Sequence, residues 1–231
     1  ANSHLTDQLE NGLTRLFRAV LATAHWLNKN TVKGSKKNIE AHYDLGNQLF
    51  ETFLDPTLMY SSALFADGTT DLHDASIEKL DHICRKLQLS STDHVLEIGT
   101  GWGGFAIHAA ENYGCQVTTT TISEEQYEHA VQLIRERGLS DQITVLKKDY
   151  RDLTGQYDKL VSIEMIEAVG HHFLDTYFNT LSQRLKPDGL ALIQAITIVE
   201  QRYQIAVNSV DFIKRYIFPG GFIPSIGSIM P

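Results

Sequence analysis

The segment Glu97-Ile-Gly-Thr-Gly-Trp-Gly-Gly104 sets a carboxylate two residues ahead of four glycines in six positions. Glycines let backbone N–H groups approach a ligand closely, and a helix start just beyond them favours negative charge. Glu97 stands where it can reach a cation lying over the same turn. S-adenosylmethionine (SAM) offers a sulfonium, an ammonium, a carboxylate and an adenosine, which such a turn addresses by charge and by hydrogen bonds to charged groups. Gly99, Gly101 and Gly104 also satisfy the dinucleotide pattern G-x-G-x-x-G. A nicotinamide cofactor, however, calls for an acid at the end of the second strand to hold its ribose. Here that strand ends in Thr118–Thr121, and Glu124 and Glu125 fall beyond the helix cap Ser123. SAM is favoured, with NAD(P) kept as the alternative. Asp149 and Tyr150 would suit an adenine, as a carboxylate for its amino group and a ring for stacking.

The elements that position these residues follow from periodicity. Val95 to Ile98 is a short apolar strand, and Phe105, Ala106, Ala109 and Ala110 continue at helical spacing. Further strands are expected at 116–121, 143–148, 159–165 and 190–198. Helices are expected at 74–87, at 124–137 with Ser123 as cap and Gln126 as capping-box partner, and at 172–185, closed by Lys186-Pro-Asp-Gly189. Strands alternating with helices indicate βαβ units and a parallel sheet, which binds ligands at the carboxyl ends of its strands. Chemistry is therefore expected just after Ile98, Thr120, Lys148, Met165 and Gln194. The uncharged stretch Leu58–Phe65 is expected to pack on a core or an apolar ligand.

Before residue 38 the chain changes character. Residues 8–27 carry an apolar helical stripe, read either as a helix docked on its own protein or as a membrane-surface anchor. Residues 28–37 read as a basic linker, giving an N-terminal unit 1–37 ahead of a domain at 38–231. A net charge of −8 argues against a nucleic-acid partner. Cys84 and Cys115 are expected to be reduced and partly buried. Arg15, Arg18 and His25 interrupt any signal-like run, and no stretch reaches the length of a membrane span. A cytoplasmic location is the expectation. His42 and Asp44, at i and i+2, point to different helix faces, so no metal site is expected.

From about Asn38 to Ser225 the chain resembles the cyclopropane-fatty-acyl-phospholipid synthases and their mycolic-acid relatives. The resemblance rests on E-A-H-Y-D-L-G-N (40–47), F-L-D-P (53–56), M-Y-S-S-A (59–63) and E-I-G-T-G-W-G-G (97–104). It continues in T-I-S-x-x-Q (121–126), D-Y-R-D (149–152), S-I-E-M-I-E-A-V-G (162–170) and Y-I-F-P-G-G-x-I-P-S (216–225). It implies an α/β, Rossmann-like class I SAM-dependent methyltransferase fold, a mostly parallel sheet with helices on both faces and added N-terminal helices. The implied substrate is a cis double bond in a membrane phospholipid, with peripheral contact at the inner membrane surface; a homodimer is left open. By the same resemblance Tyr60, Ser61, Gly99, Gly101, Thr121, Ile122, Gln126, Asp149, Tyr150 and Arg151 contact SAM. A bicarbonate ion would lie at Ser62, Glu167, Gln194 and the backbone of Ile196. The family often has cysteine at position 62 and histidine at 194, and its C-terminal portion, with the last strands and a further tyrosine, has no counterpart here.

An isolated alkene is a poor nucleophile, so a sulfonium methyl must drive the implied reaction. Methyl transfer leaves a carbocation on the acyl chain, and loss of a proton from the new methyl closes a three-membered ring. Glu167 is the candidate to orient bicarbonate as the base, or is else a helix-start carboxylate; Glu164 reads as structural. Tyr43 and Tyr60 either line the acyl tunnel or belong to the core. A methyltransferase of another small molecule or lipid, and a non-catalytic SAM-binding module, are the remaining alternatives.

Overall fold

A computed structural model describes residues 30–31, 34–35 and 47–230. The expected helix at 8–27, His42, Tyr43 and Asp44 lie outside the described residues. Five parallel strands form one sheet: β1 (His94–Ile98), β2 (Gln116–Thr121), β3 (Ile143–Lys147), β4 (Tyr157–Ile163) and β5 (Leu185–Gln194), in the order β3-β2-β1-β4-β5. Successive strand residues face opposite sides, so Val95, Val117 and Val161 enter one core and Leu96, Ile98 and Leu160 the other.

Helices close both faces. Labelled in chain order, α1 is Asn47–Glu51, α2 Leu72–Leu87, α3 Gly104–Tyr113, α4 Glu124–Glu136, α5 Leu174–Arg184 and α6 Glu200–Val207. Leu80, Ile83 and Leu87 of α2, Phe105 and Ala109 of α3, and Ala130 and Ile134 of α4 fill the first core. Tyr177 and Leu181 of α5 fill the second, with Tyr150 and Ile166. Cys84 and Cys115 are free thiols in the first core.

Several boundaries differ from the sequence reading. The second helix starts at Leu72, two residues early, because the Asp71 side chain caps it by accepting from the His73 and Asp74 N–H groups. Ser123 does cap α4, accepting from Gln126 N, but no capping box forms. The Gln126 side chain instead accepts from Thr121 Oγ1, which also accepts from Ser123 N. The fourth strand is Tyr157–Ile163 rather than 159–165. The fifth begins at Leu185: its pairing jumps from Tyr157–Leu185 to Lys159–Leu190, so Lys186–Gly189 bulges out of the ladder where Pro187 has no N–H to give. It ends at Gln194, and Ile198 bridges separately to Ser225.

The buried hydroxyls of β2 are all paired: Thr118 with His94, Thr119 with Glu97, Thr120 with the Leu146 and Lys148 carbonyls, and Thr121 with Gln126. This answers how four consecutive threonines sit at the centre of a sheet, since a buried hydroxyl without a partner is costly. Among the described residues no helix is long and apolar enough to cross a membrane.

Candidate active site

The chain leaves β1 toward β2 and β3 on one side and returns to β4 and β5 on the other, so the crevice opens where the strand order reverses. The glycine turn lies there. Gly99 has φ +100°, and Gly99 N and Thr100 N both donate to Thr120 O, pinning the turn to the end of β2. At Gly104 a Cβ would stand 3.1 Å from Thr57 O and 3.0 Å from Met59 Cε. A side chain here would press on the 57–59 loop, which lies against the start of α3. That loop is fixed by Asp55, which accepts from Thr57 N and Oγ1 and faces His73 at 2.9 Å. It is fixed also by Trp102, whose ring centroid is 4.8 Å from that of Phe50 in a cluster with Leu58, Leu54 and Tyr60.

Between the turn and this loop is a cavity of about 780 Å³ with mostly apolar walls, within the size range of cofactor and ligand sites. Tyr60, Ser61, Ser62, Glu97, Gly99, Gly101, Thr121, Ile122, Gln126, Asp149, Tyr150, Arg151, Glu167 and Ile196 all line it, and Gln194 does not. No group of acids, histidines and cysteines suited to a metal occurs among the described residues.

The electrostatics are set by buried acids. Glu97 is 2 % exposed and accepts a 2.6 Å hydrogen bond from Thr119 Oγ1. Burial pushes its carboxyl up to about 8. Because the folded carboxyl holds its proton to higher pH than the unfolded one, stability contributed here is present at low pH and lost as pH rises through about 8. Glu97→Gln should remove this slope: melting temperatures of the unliganded protein at pH 6 and 9 should separate less in the variant than in the parent, by roughly 5 °C. An unchanged separation would show that Glu97 ionises normally.

Glu167 follows β4 in a short 3₁₀ turn, Ile166–Ala168. Its Oε1 accepts from Ile196 N at 2.5 Å, and its Oε2 is buried with no hydrogen-bond partner. Burial raises its carboxyl above the usual range, and the nearby Glu164 charge adds to the effect. Glu164 has φ +48°, a left-handed conformation a glutamate adopts only where its surroundings enforce it. It accepts from Ser62 N at 2.9 Å and Gln194 Nε2 at 2.8 Å. Gln194 Nε2 also donates to Ser62 O. Gln194 thus ties the 61–62 loop to the sheet rather than facing the cavity, and Ile196 N is taken by Glu167.

At β3, Asp149 receives two side-chain hydrogen bonds from Arg151, at 2.6 and 2.7 Å, rather than holding both oxygens free for an adenine. The Tyr150 ring is 9 % exposed, makes a T-shaped contact with Tyr177, carries the Arg151 guanidinium 5.3 Å from its centroid and borders the cavity. The remaining guanidinium donors of Arg151 reach Asn30 O and Ser35 Oγ. Asn30 Nδ2 donates to Ala168 O at 2.8 Å and to Gly220 O at 2.9 Å. Asn30 and Ser35, which read as linker, are buried in the cavity wall. Their polar types gave no pattern to find them by, because their partners are 116 to 190 residues away.

The family described as "Mycolic acid cyclopropane synthetase" matches residues 30–231. The chain belongs to this family. It is 41 % identical over 203 residues to tuberculostearic acid methyltransferase UfaA1 of Mycobacterium tuberculosis, covering 85 % of the chain and 47 % of that protein. It is 41 % identical over 223 residues to cyclopropane-fatty-acyl-phospholipid synthase of Escherichia coli K12, covering 96 % of the chain and 56 % of that protein. Among solved structures, mycolic acid cyclopropane synthase CmaA1 complexed with SAH and CTAB aligns with a TM-score of 0.77 at 32 % identity, over 84 % of this chain and 71 % of that one. The family's fold, and that of this chain, is the class I SAM-dependent methyltransferase fold. The chain spans about half the length of the curated relatives it matches.

Proposed function

We propose that this site transfers the methyl carbon of SAM to the cis double bond of an unsaturated phospholipid acyl chain and closes it to a cyclopropane. The observation that carries the reading is one continuous cavity joining the glycine turn to Glu167, whose Oε2 is buried and unpartnered. A relative solved with SAH, the product SAM leaves after methyl transfer, supports the cofactor.

Bound SAM supplies an electrophilic methyl. Glu97 and Gln126 border the end of the cavity that holds the glycine turn, and the apolar walls exclude water that would trap a carbocation. The rings of Tyr60, Phe218 and Phe222 line the same space and offer faces to a developing cation. Methyl transfer forms a C–C bond with the alkene electron pair and breaks the C–S bond. A proton then leaves the new methyl, and its C–H pair forms the last ring bond.

Bicarbonate fits Glu167 in one respect: its hydroxyl would give Oε2 the hydrogen bond it lacks, and Ser62 lines the same cavity. Ile196 N and Gln194 Nε2 are engaged elsewhere, so Glu167 and Ser62 are the groups that would hold the ion. Bound there, the ion supplies a base for the methyl proton.

The test incubates the chain with methyl-labelled SAM and vesicles of cis-unsaturated phospholipid. Label recovered in lipid as cyclopropane ring carbon is the expected result; SAM binding with no label in lipid would refute the substrate. The equal identity to a tuberculostearic acid methyltransferase favours a second reading, in which the cation loses a proton from a neighbouring chain carbon. Label in a methyl-branched alkene would select it.

A further inference from the structure

Lys79 is a buried cation that the proposed chemistry does not use. It sits on the inner face of α2, 4 % exposed, behind the cavity wall and not in it. Its Nζ donates a 2.6 Å hydrogen bond to Ser61 Oγ, and among the described residues it forms no ion pair. Burial draws its proton affinity down to about 8, while the charges of Glu164 and Asp55 act to keep it protonated. Leaving an ammonium out of water without a contacting carboxylate is costly, so its one strong hydrogen bond marks where the charge is directed.

That direction is into the cavity. Ser61 lines the wall, and its oxygen is already accepting from Lys79. Its O–H must therefore donate, and a hydroxyl polarised by an ammonium is the stronger donor. The other cations at the cavity are committed or peripheral. Arg151 holds Asp149, Lys214 donates to the Ala206 and Ser209 carbonyls, and Lys148 is exposed. The acids of the wall, Glu97, Glu164, Glu167, Asp149 and Asp211, offer a carboxylate no positive charge. Ser61, backed by Lys79, is the place where a ligand carboxylate meets an outward donor with positive charge behind it.

Resting on the proposed use of SAM, we infer that Lys79 is a positioning residue which, through the Ser61 hydroxyl, orients and holds the carboxylate of the bound SAM. The experiment is calorimetric titration of the full chain with SAM and with decarboxylated SAM, which keeps the sulfonium, ammonium and adenosine. Lys79→Met should weaken SAM about tenfold and leave decarboxylated SAM within about twofold, the size of a charge-assisted hydrogen bond. Ser61→Ala should reproduce the selective loss, and the double variant should be no worse than either single one. Lys79→Arg should recover part of the SAM affinity.

Equal weakening of both ligands, no weakening of either, or additive losses in the double variant would overturn the inference. Melting curves show whether Lys79→Met folds; if it does not, the discrimination by Ser61→Ala alone decides. If the unsubstituted chain binds decarboxylated SAM but not SAM, the inference also fails. If it binds neither, the SAM reading itself is at fault, and that result is separable from the others.

Discussion

Glu167→Gln should lower turnover of unsaturated phospholipid by about 10²–10⁴-fold, the usual worth of a positioned acid–base group. The same substitution should leave SAM affinity within about threefold, since it removes an interaction made in the reaction and not in cofactor binding. Gln keeps an oxygen to accept from Ile196 N, so the turn after β4 stays in place. What disappears is the anionic Oε2, buried and without a donor of its own. The pH profile gives a second readout. Burial holds the Glu167 carboxyl above its ordinary value, so its anionic form is lost as pH falls through that raised range. Activity that needs the anion should show an acidic limb there, absent from the residual activity of Glu167→Gln. Initial rates with labelled SAM and calorimetric SAM titration check both parts. A variant with full turnover would remove Glu167 from the reaction.

Trp102→Ala should cost about 3–5 kcal/mol of stability, as large aromatic deletions in a closed core do. The Trp102 side chain is 2 % exposed and meets Phe50, on which Tyr60 packs edge-on at 5.3 Å. The indole therefore joins the glycine turn to the loop that carries Tyr60 and Ser61. Removing it empties the junction and frees the loop, so SAM affinity should fall along with the denaturation midpoint. Urea unfolding followed by SAM titration at a temperature where the variant is folded separates the two losses. A loss under about 1 kcal/mol would mean the cluster refills, as cores do where neighbours can collapse.

How much of this was legible in the sequence depended on whether a residue's partners were near or periodic. β1, the turn and α3 could be read because an apolar strand, four glycines and a helical stripe follow one another within twenty residues. β2 and the cap of α4 at Ser123 were equally plain. The start of β5 was misplaced because Pro187 and Gly189 are turn residues, and only pairing with β4 shows that the strand runs through them. Glu164 read as structural beside Glu167, three residues on, which was the candidate for chemistry. It does bind the 61–62 loop to the sheet, yet it also lines the cavity. Lys79 carries no sequence signal, because nothing local on an amphipathic helix distinguishes it from the solvated lysines. Its role appears only once Ser61, eighteen residues earlier, is brought against it.

The contacts of Asn30 bear on how the chain reaches this shape. One amide closes loops of 138 and 190 residues, to Ala168 O and Gly220 O, whereas neighbouring parallel strands β1 and β2 meet across some twenty. Contacts between distant parts of a chain are slower to form than local ones, although the added entropy of a longer loop grows only with its logarithm. Closing the Asn30 side of the cavity therefore costs more chain entropy than pairing the strands beneath it.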